Sequence, residues 1–214
     1  MVQLVDIKGF FDAESLQSLY SANIPMKMYR MWFKLNSRTI ISIATPSGLT
    51  EQGEAGELCG QGSAGAALAS QLDIDRGIKC YFENSKEEAR YGSVRIQPQC
   101  FQDDILRVAP TLASARSGNI KLHMMLSERL LRCHPKKTCF LLIGSKKYKE
   151  DIREELKYLP IKFGDFTMLE KNQDLYLGDV LSTNGLAGSV EATVIQRLGK
   201  VKGAIYEAAA ILKD

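Results

Sequence analysis

The sequence predicts a globular protein of mixed helices and strands, α/β or α+β, on three observations. Its 214 residues, 45% hydrophobic and 25% charged, suffice for one substantial core or two small ones. Short runs such as Val2 to Ile7 and Arg38 to Thr45 alternate in the manner of half-buried strands. Between them lie longer stretches with apolar residues at helical spacing. The formal net charge is +3, so any affinity for nucleic acid has to come from a local basic face. Five cysteines (Cys59, Cys80, Cys100, Cys133, Cys139) form no Cys-x-x-Cys pair and are odd in number, which argues against a zinc knuckle and a disulfide framework and favours a reducing interior. No stretch approaches the ~20 apolar residues that span a bilayer, and the start lacks the layout of a signal peptide. The expected location is intracellular, cytoplasmic or nuclear, with no membrane partner. Because the chain opens directly into a strand, a preceding segment is expected.

In chain order, Val2 to Ile7 reads as a strand that breaks at Gly9 and presents Asp6 near its end. Ala13 to Ser21 places Leu16, Leu19 and Tyr20 on one helical face behind an N-cap at Asp12. Pro25 suits the first turn of a second helix, whose Met28, Trp32 and Leu35 share a face that core packing explains. Pro46-Ser47-Gly48 turns the strand over Arg38 to Thr45 into a hairpin. A glycine-rich loop from Gly53 to Gly65 then feeds an Ala-rich helix over Ser63 to Leu72. Asn84 to Arg90 is polar, a loop or one helical turn. Val94 and Ile96 lead into a tight hairpin with Asp103 and Asp104 at its tip, and Ile105, Leu106 and Val108 lead out. Pro110 opens a long amphipathic helix with Leu112, Ala115, Leu122, Leu126, Leu130 and Cys133 on one stripe and Gly118-Asn119 as a point of interruption. Thr138 to Ile143 reads as a buried strand, and Lys146 to Lys157 as a charged helix with Ile152 and Leu156 inward. Ile161, Phe163, Phe166 and Met168 outline a hairpin, Leu175 to Gly178 a short strand, and Ser189 to Leu212 a closing helix.

Two stretches carry candidate chemistry. Adjacent aspartates in a turn commonly cap their own backbone, yet Asp103 and Asp104 also repel each other unless a cation lies between them, the pattern of a divalent metal site. Gly60-Gln61-Gly62-Ser63-Ala64-Gly65 matches G-x-G-x-x-G ahead of a helix, and strand-like Ile78 to Phe82 follows with Glu83 at its end. That is the layout of a Rossmann-type dinucleotide-binding oxidoreductase, although the residues before Gly60 make a poor buried strand. Ser63 misses the G-x-S-x-G elbow because Gln61 stands where glycine is required. His123 and His134 are isolated and read as surface or helix-end residues.

Five short blocks stand in order along the chain: Asp6-Ile7-Lys8-Gly9-Phe10-Phe11-Asp12, Gly60-Gln61-Gly62-Ser63, Phe101-Gln102-Asp103-Asp104, His134-Pro135-Lys136-Lys137-Thr138 and Tyr176-Leu177-Gly178. Together they resemble the palm of a reverse transcriptase, most like the non-LTR (LINE-like) retrotransposon enzymes, with Gly60 where many of that family carry proline. The resemblance implies an α+β polymerase palm, an antiparallel sheet with helices packed on one face, over residues 1–181, and the helical start of a thumb over 182–214. The fingers would be absent, making the chain a fragment of a retrotransposon polyprotein with little activity of its own. The implied activity is RNA-directed DNA polymerase, adding dNTPs to a DNA primer on an RNA template. Asp6, Asp103 and Asp104 would ligate two Mg²⁺ ions, for which Mn²⁺ can substitute, and Lys137 would protonate the departing pyrophosphate. Phe11 would lie under the sugar and select deoxynucleotides. Gly60, Gln61 and Gly62 would contact the nascent base pair and template, Phe101 would lie beside the substrate, and Tyr176, Leu177 and Gly178 would grip the primer end. The alternatives are the Rossmann oxidoreductase and a non-catalytic nucleic-acid-binding remnant.

Overall fold

A computed structural model describes residues 1–8, 10, 25–36, 40–42, 44–54, 66–83 and 88–211. In chain order these residues form β1 (Val2–Lys8), α1 (Met26–Asn36), β2 (Ile40–Ile41), β3 (Ala44–Thr45), β4 (Gly48–Leu49), β5 (Gly53–Glu54), α2 (Ala66–Phe82), β6 (Ala89–Tyr91), β7 (Val94–Ile96), β8 (Gln99–Phe101) and β9 (Asp104–Val108). They continue as α3 (Leu112–Glu128), β10 (Arg132–Cys133), β11 (Cys139–Leu141), α4 (Lys146–Tyr158), β12 (Lys162–Phe163), β13 (Phe166–Thr167), β14 (Leu169–Glu170), β15 (Gln173–Tyr176), β16 (Asp179–Ser182) and α5 (Gly185–Ile211). The class is α+β. Its main sheet runs β14-β11-β1-β9-β8, with β10 also pairing β1, and is antiparallel except where β11 meets β14.

The period of two along β1 separates the two faces of this sheet. Val5 and Ile7 join Ile105 and Phe140 on one face, under Ile74, Ile78 and Phe82 of α2 and Leu122, Met125 and Leu126 of α3. Ile152 and Leu156 of α4 pack against the same core, as their spacing predicts. The opposite face carries a smaller cluster, Leu4, Cys139 and Leu141, covered by Tyr176 and Leu181 of the β15–β16 hairpin. Asp6 and Asp104 follow on that second face, beyond the covered part.

A buried arginine joins sheet to helix. Arg107 of β9 donates to the Gln3 Oε1 atom at 2.7 Å and to the Ser114 carbonyl at 2.8 Å, while only 2% exposed. Its guanidinium lies against the backbone of α3, where a Cβ on Gly118 would come within 1.9 Å of it. Gly118 therefore makes a notch, and Asn119, buried beside it, donates to the Lys162 carbonyl at 2.9 Å and fastens β12 to the helix. The ion pair of Arg129 with the buried Asp73, 2.9 Å, ties α3 to α2.

Several expectations are corrected. Gly118-Asn119 does not interrupt α3, which runs from its N-cap Thr111 to Glu128. Leu130 and Cys133 leave the stripe: Leu130 takes a left-handed conformation, φ 58°, and points outward, Leu131 returns to the core, and Cys133 belongs to β10. The amide of Leu131 donates back to the Leu126 carbonyl, closing the helix as a Schellman turn does. Ile78 to Phe82 is not a strand but the end of α2, and with a largely antiparallel sheet this removes the parallel βαβ unit that the dinucleotide reading needs. Val94–Ile96 pairs with β6 rather than extending the aspartate hairpin. Met28 of α1 is half exposed instead of packed in the core. The segments Ala13 to Ser21 and Gly60 to Gly65 lie outside the described residues.

Helix propensity and packing pull in opposite directions at Gly118. Alanine in a helix interior ordinarily adds about 1 kcal/mol, but here overpacking against Arg107 is expected to cost about 1–3 kcal/mol. Urea denaturation of Gly118→Ala should therefore show a lower midpoint than the parent; an unchanged or higher midpoint would contradict the notch.

Candidate functional site

The register of β1 on β9 sets Asp6 directly opposite Asp104, so both carboxylates leave the same face of the sheet. Asp103 is brought beside them by the turn: its carbonyl accepts from the Ile7 amide at 2.8 Å. The β8–β9 loop has two residues, Gln102 and Asp103, between the paired Phe101 and Asp104. Gln102 holds φ 55°, a conformation that primed hairpin turns require and that non-glycine residues rarely adopt. Gln71 of α2 sustains it, since its side-chain amide donates to the Cys100 carbonyl at 3.0 Å and its Oε1 accepts from the Gln102 amide at 3.1 Å. Asp103 is thus at the tip as expected, while Asp104 is the first residue of the outgoing strand.

The His134 to Thr138 block is a turn that folds over the end of β1. The His134 amide donates to the Asp6 carbonyl at 2.8 Å, and the Lys137 and Thr138 amides donate back to the His134 carbonyl. This brings the Lys137 ammonium to 3.1 Å from Asp6 Oδ2. On the other side, the β15–β16 hairpin turns through Leu177 and Gly178 at φ 51° and 84°, the two positive values that a type I′ turn needs. Gly178 has open space around its Cα, so backbone conformation and not crowding asks for glycine there.

These segments enclose a cleft of about 410 Å³ whose lining includes Asp6, Asp103, Asp104, Lys137, Tyr176, Leu177 and Gly178. Phe101 stands next to Asp104 on the same face but is exposed and off the lining. Phe11, Gly60, Gln61 and Gly62 lie outside the described residues.

Two further cleft residues, Lys171 and Asp174, escaped sequence reasoning. Lys171 lies 2.7 Å from Asp174 Oδ2, which also accepts from the Cys139 thiol at 2.9 Å. A signal was present for Asp174: it precedes Tyr176 by two residues on a strand, which places both on one face.

The electrostatics of the cleft follow from burial and from the charges crowded into it. Burial pushes the Asp104 carboxyl above its ordinary range, and the charges of Asp103 and Asp6 push it further, with Lys137 opposing them. Lys137 is raised by its hydrogen bond to Asp6 and by the same carboxylate's charge. Burial acts upward on Asp174, but the donors Cys139, Lys171 and the Leu175 amide outweigh it and leave that carboxyl lowered. The Cys133 thiol is pushed up to about 12 by burial and by Asp6, and Cys139 to about 12 by burial and its bond to Asp174. Thiols held protonated make poor ligands, so the donors left in the cleft are carboxylate oxygens, the set that suits a hard cation such as Mg²⁺. Among the described residues no three His, Cys, Asp or Glu side chains close on a single point. Asp6 is instead neutralised locally by Lys137.

Compared with known proteins, the sequence matches no family model and no curated protein. Among the described residues no helix is long and apolar enough to cross a membrane.

Since the Asp104 pKa is raised in the folded state, its ionisation works against folding. The penalty is absent below the ordinary aspartate value of 3.8 and sets in as pH rises through the raised value. Asp104→Asn should unfold at a higher temperature than the parent at pH 7, with the difference closing by pH 3.5. A difference that is independent of pH in thermal unfolding would contradict this origin.

Proposed function

We propose that the chain is the palm of an RNA-directed DNA polymerase, adding dNTPs to a DNA primer on an RNA template, over residues 1–181, with α5 as the start of a thumb over 182–214. The observation that supports this reading is convergence. Four segments far apart in sequence bring three aspartates, a lysine and the Tyr176-Leu177-Gly178 tip to one cleft, on the sheet face that the helices leave free. The boundary at position 181 falls inside strand β16.

Asp6, Asp103 and Asp104 would hold two Mg²⁺ ions, or Mn²⁺ in their place, which when bound neutralise phosphate charge and lower the pKa of the primer 3′-hydroxyl. Asp6 and Asp104 present oxygens from neighbouring strands, and Asp103 adds its own from the turn. Lys137, whose ammonium lies 3.1 Å from Asp6 Oδ2, would pass a proton to the departing pyrophosphate. The Leu177-Gly178 tip, set over the cleft by the cluster of Lys171, Asp174 and Cys139, would bear on the primer end. Phe11 as the sugar-facing ring, the Gly60-Gln61-Gly62 loop on the template and Phe101 beside the substrate complete the proposal. Fingers supplied by the rest of a retrotransposon polyprotein would close the site.

The test is Mg²⁺-dependent dNTP addition to a primed RNA template by the purified chain. Asp103→Asn is expected to lower incorporation by about a hundredfold or more, the loss typical of removing one electrostatic stabiliser. Incorporation that survives that change would overturn the assignment. Salt-sensitive binding of primed template without incorporation would move the chain to the non-catalytic remnant.

A further inference from the structure

Two residues beyond Asp6, at the exposed end of β1, Lys8 stands directly opposite Arg132 of β10. Cross-strand partners share a face with their Cβ atoms roughly 5 Å apart, and like charges so placed repel. Among the described residues neither side chain has an ion-pair or hydrogen-bond partner. Both line a cavity of about 520 Å³ between β10, the end of α3 and the β12–β13 hairpin. Its lining also includes Leu126, Leu131 and Phe163, each no more than 3% exposed. Asp165 shares the rim but is not within ion-pair distance of either cation.

We infer that Lys8 and Arg132 form a binding site for a dianionic terminal phosphate, as carried by pyrophosphate or the end of a polyphosphate chain. Two fixed positive charges side by side match a group with two negative charges; a carboxylate or a phosphodiester, with one, leaves a cation unmatched. The guanidinium supplies a planar fork to two phosphate oxygens, and the ammonium a point charge to the third. The repulsion stored in the register is released when such an anion enters. This site rests on the cation pair and its cavity, not on the polymerase reading, and no other group described above uses either residue.

The probe is inorganic pyrophosphate, titrated calorimetrically into the full chain in the presence of a chelator, with Lys8→Gln, Arg132→Gln and Asp103→Asn in parallel. Binding is expected to weaken about tenfold or more in each glutamine variant, as for loss of a charge-assisted hydrogen bond, and to be unchanged in Asp103→Asn. Without pyrophosphate, each glutamine variant should melt at the same temperature as the parent or higher, because the like-charge contact is gone. The inference is overturned by absence of binding to the parent chain or by glutamine variants that bind as tightly as the parent. Loss of binding in Asp103→Asn, or preference for an oligonucleotide without terminal phosphates, would also overturn it. Because Asp103→Asn disables the proposed polymerase centre but not this site, failure of either idea is distinguishable from failure of the other.

Discussion

The hydrogen bond between Gln3 and Arg107, buried across β1 and β9, is the contact on which the rest of the structure depends. The two residues are paired in the ladder, so their side chains can meet only in this register, in which Leu4 faces Leu106, Val5 faces Ile105 and Asp6 faces Asp104. A slip of one residue would turn the carboxylates into the helix-covered core and the apolar residues into the cleft. Ladder hydrogen bonds alone would tolerate such a slip; a buried polar pair does not, because a displaced Arg107 would lose its acceptors inside the core. The same guanidinium reaches the Ser114 carbonyl through the notch at Gly118, so the sheet register and the seating of α3 are fixed by one side chain.

That register creates an electrostatic problem that the chain manages with its own cations. Three aspartates lie near the end of β1, and Asp104, pushed first by burial and then by its neighbours' charge, bears the cost as a raised pKa. Lys137 stands on Asp6, and Lys171 stands on Asp174 at the far side of the cleft. The protein thus holds a negatively charged cleft with internal counter-ions. Two of the turns bordering it, at Gln102 and Leu177, place non-glycine residues at positive φ, conformations that persist where surrounding contacts hold them. Gln71 does so for the first, and the Tyr176–Asp179 pair of the β15–β16 ladder closes the second.

Much of this was legible in the sequence where local pattern and tertiary need agree. The alternation from Val2 to Ile7 marked β1, the apolar run Ile105, Leu106 and Val108 marked β9, and the spacing of Ile152 and Leu156 marked the inward side of α4. Legibility failed where they disagree. Ile78, Tyr81 and Phe82 favour strands by residue type, but Ile74, Ile78 and Phe82 recur every four residues, and that period won because α2 lies on the sheet. Leu130 continues a helical stripe on paper, yet the chain reverses there. In the candidate site, the aspartates and Lys137 stood in recognisable blocks. Gln71 and Lys171 did not, because their roles come from what the fold places beside them. The Lys8–Arg132 pair was invisible for the same reason, since its two halves meet only through the β1–β10 register.

The β1–β9 register sets Asp6 opposite Asp104 with Asp103 beside them, and the proposed function requires these three carboxylates to hold a divalent cation. Paramagnetic broadening of backbone amide signals by substoichiometric Mn²⁺ tests this requirement most directly, because broadening falls off steeply with distance from the ion. The account predicts that the first signals lost are those of Asp6, Ile7, Asp103 and Asp104, and that Asp103→Asn weakens the effect. Broadening centred on another acidic group, or none at those residues, would contradict it.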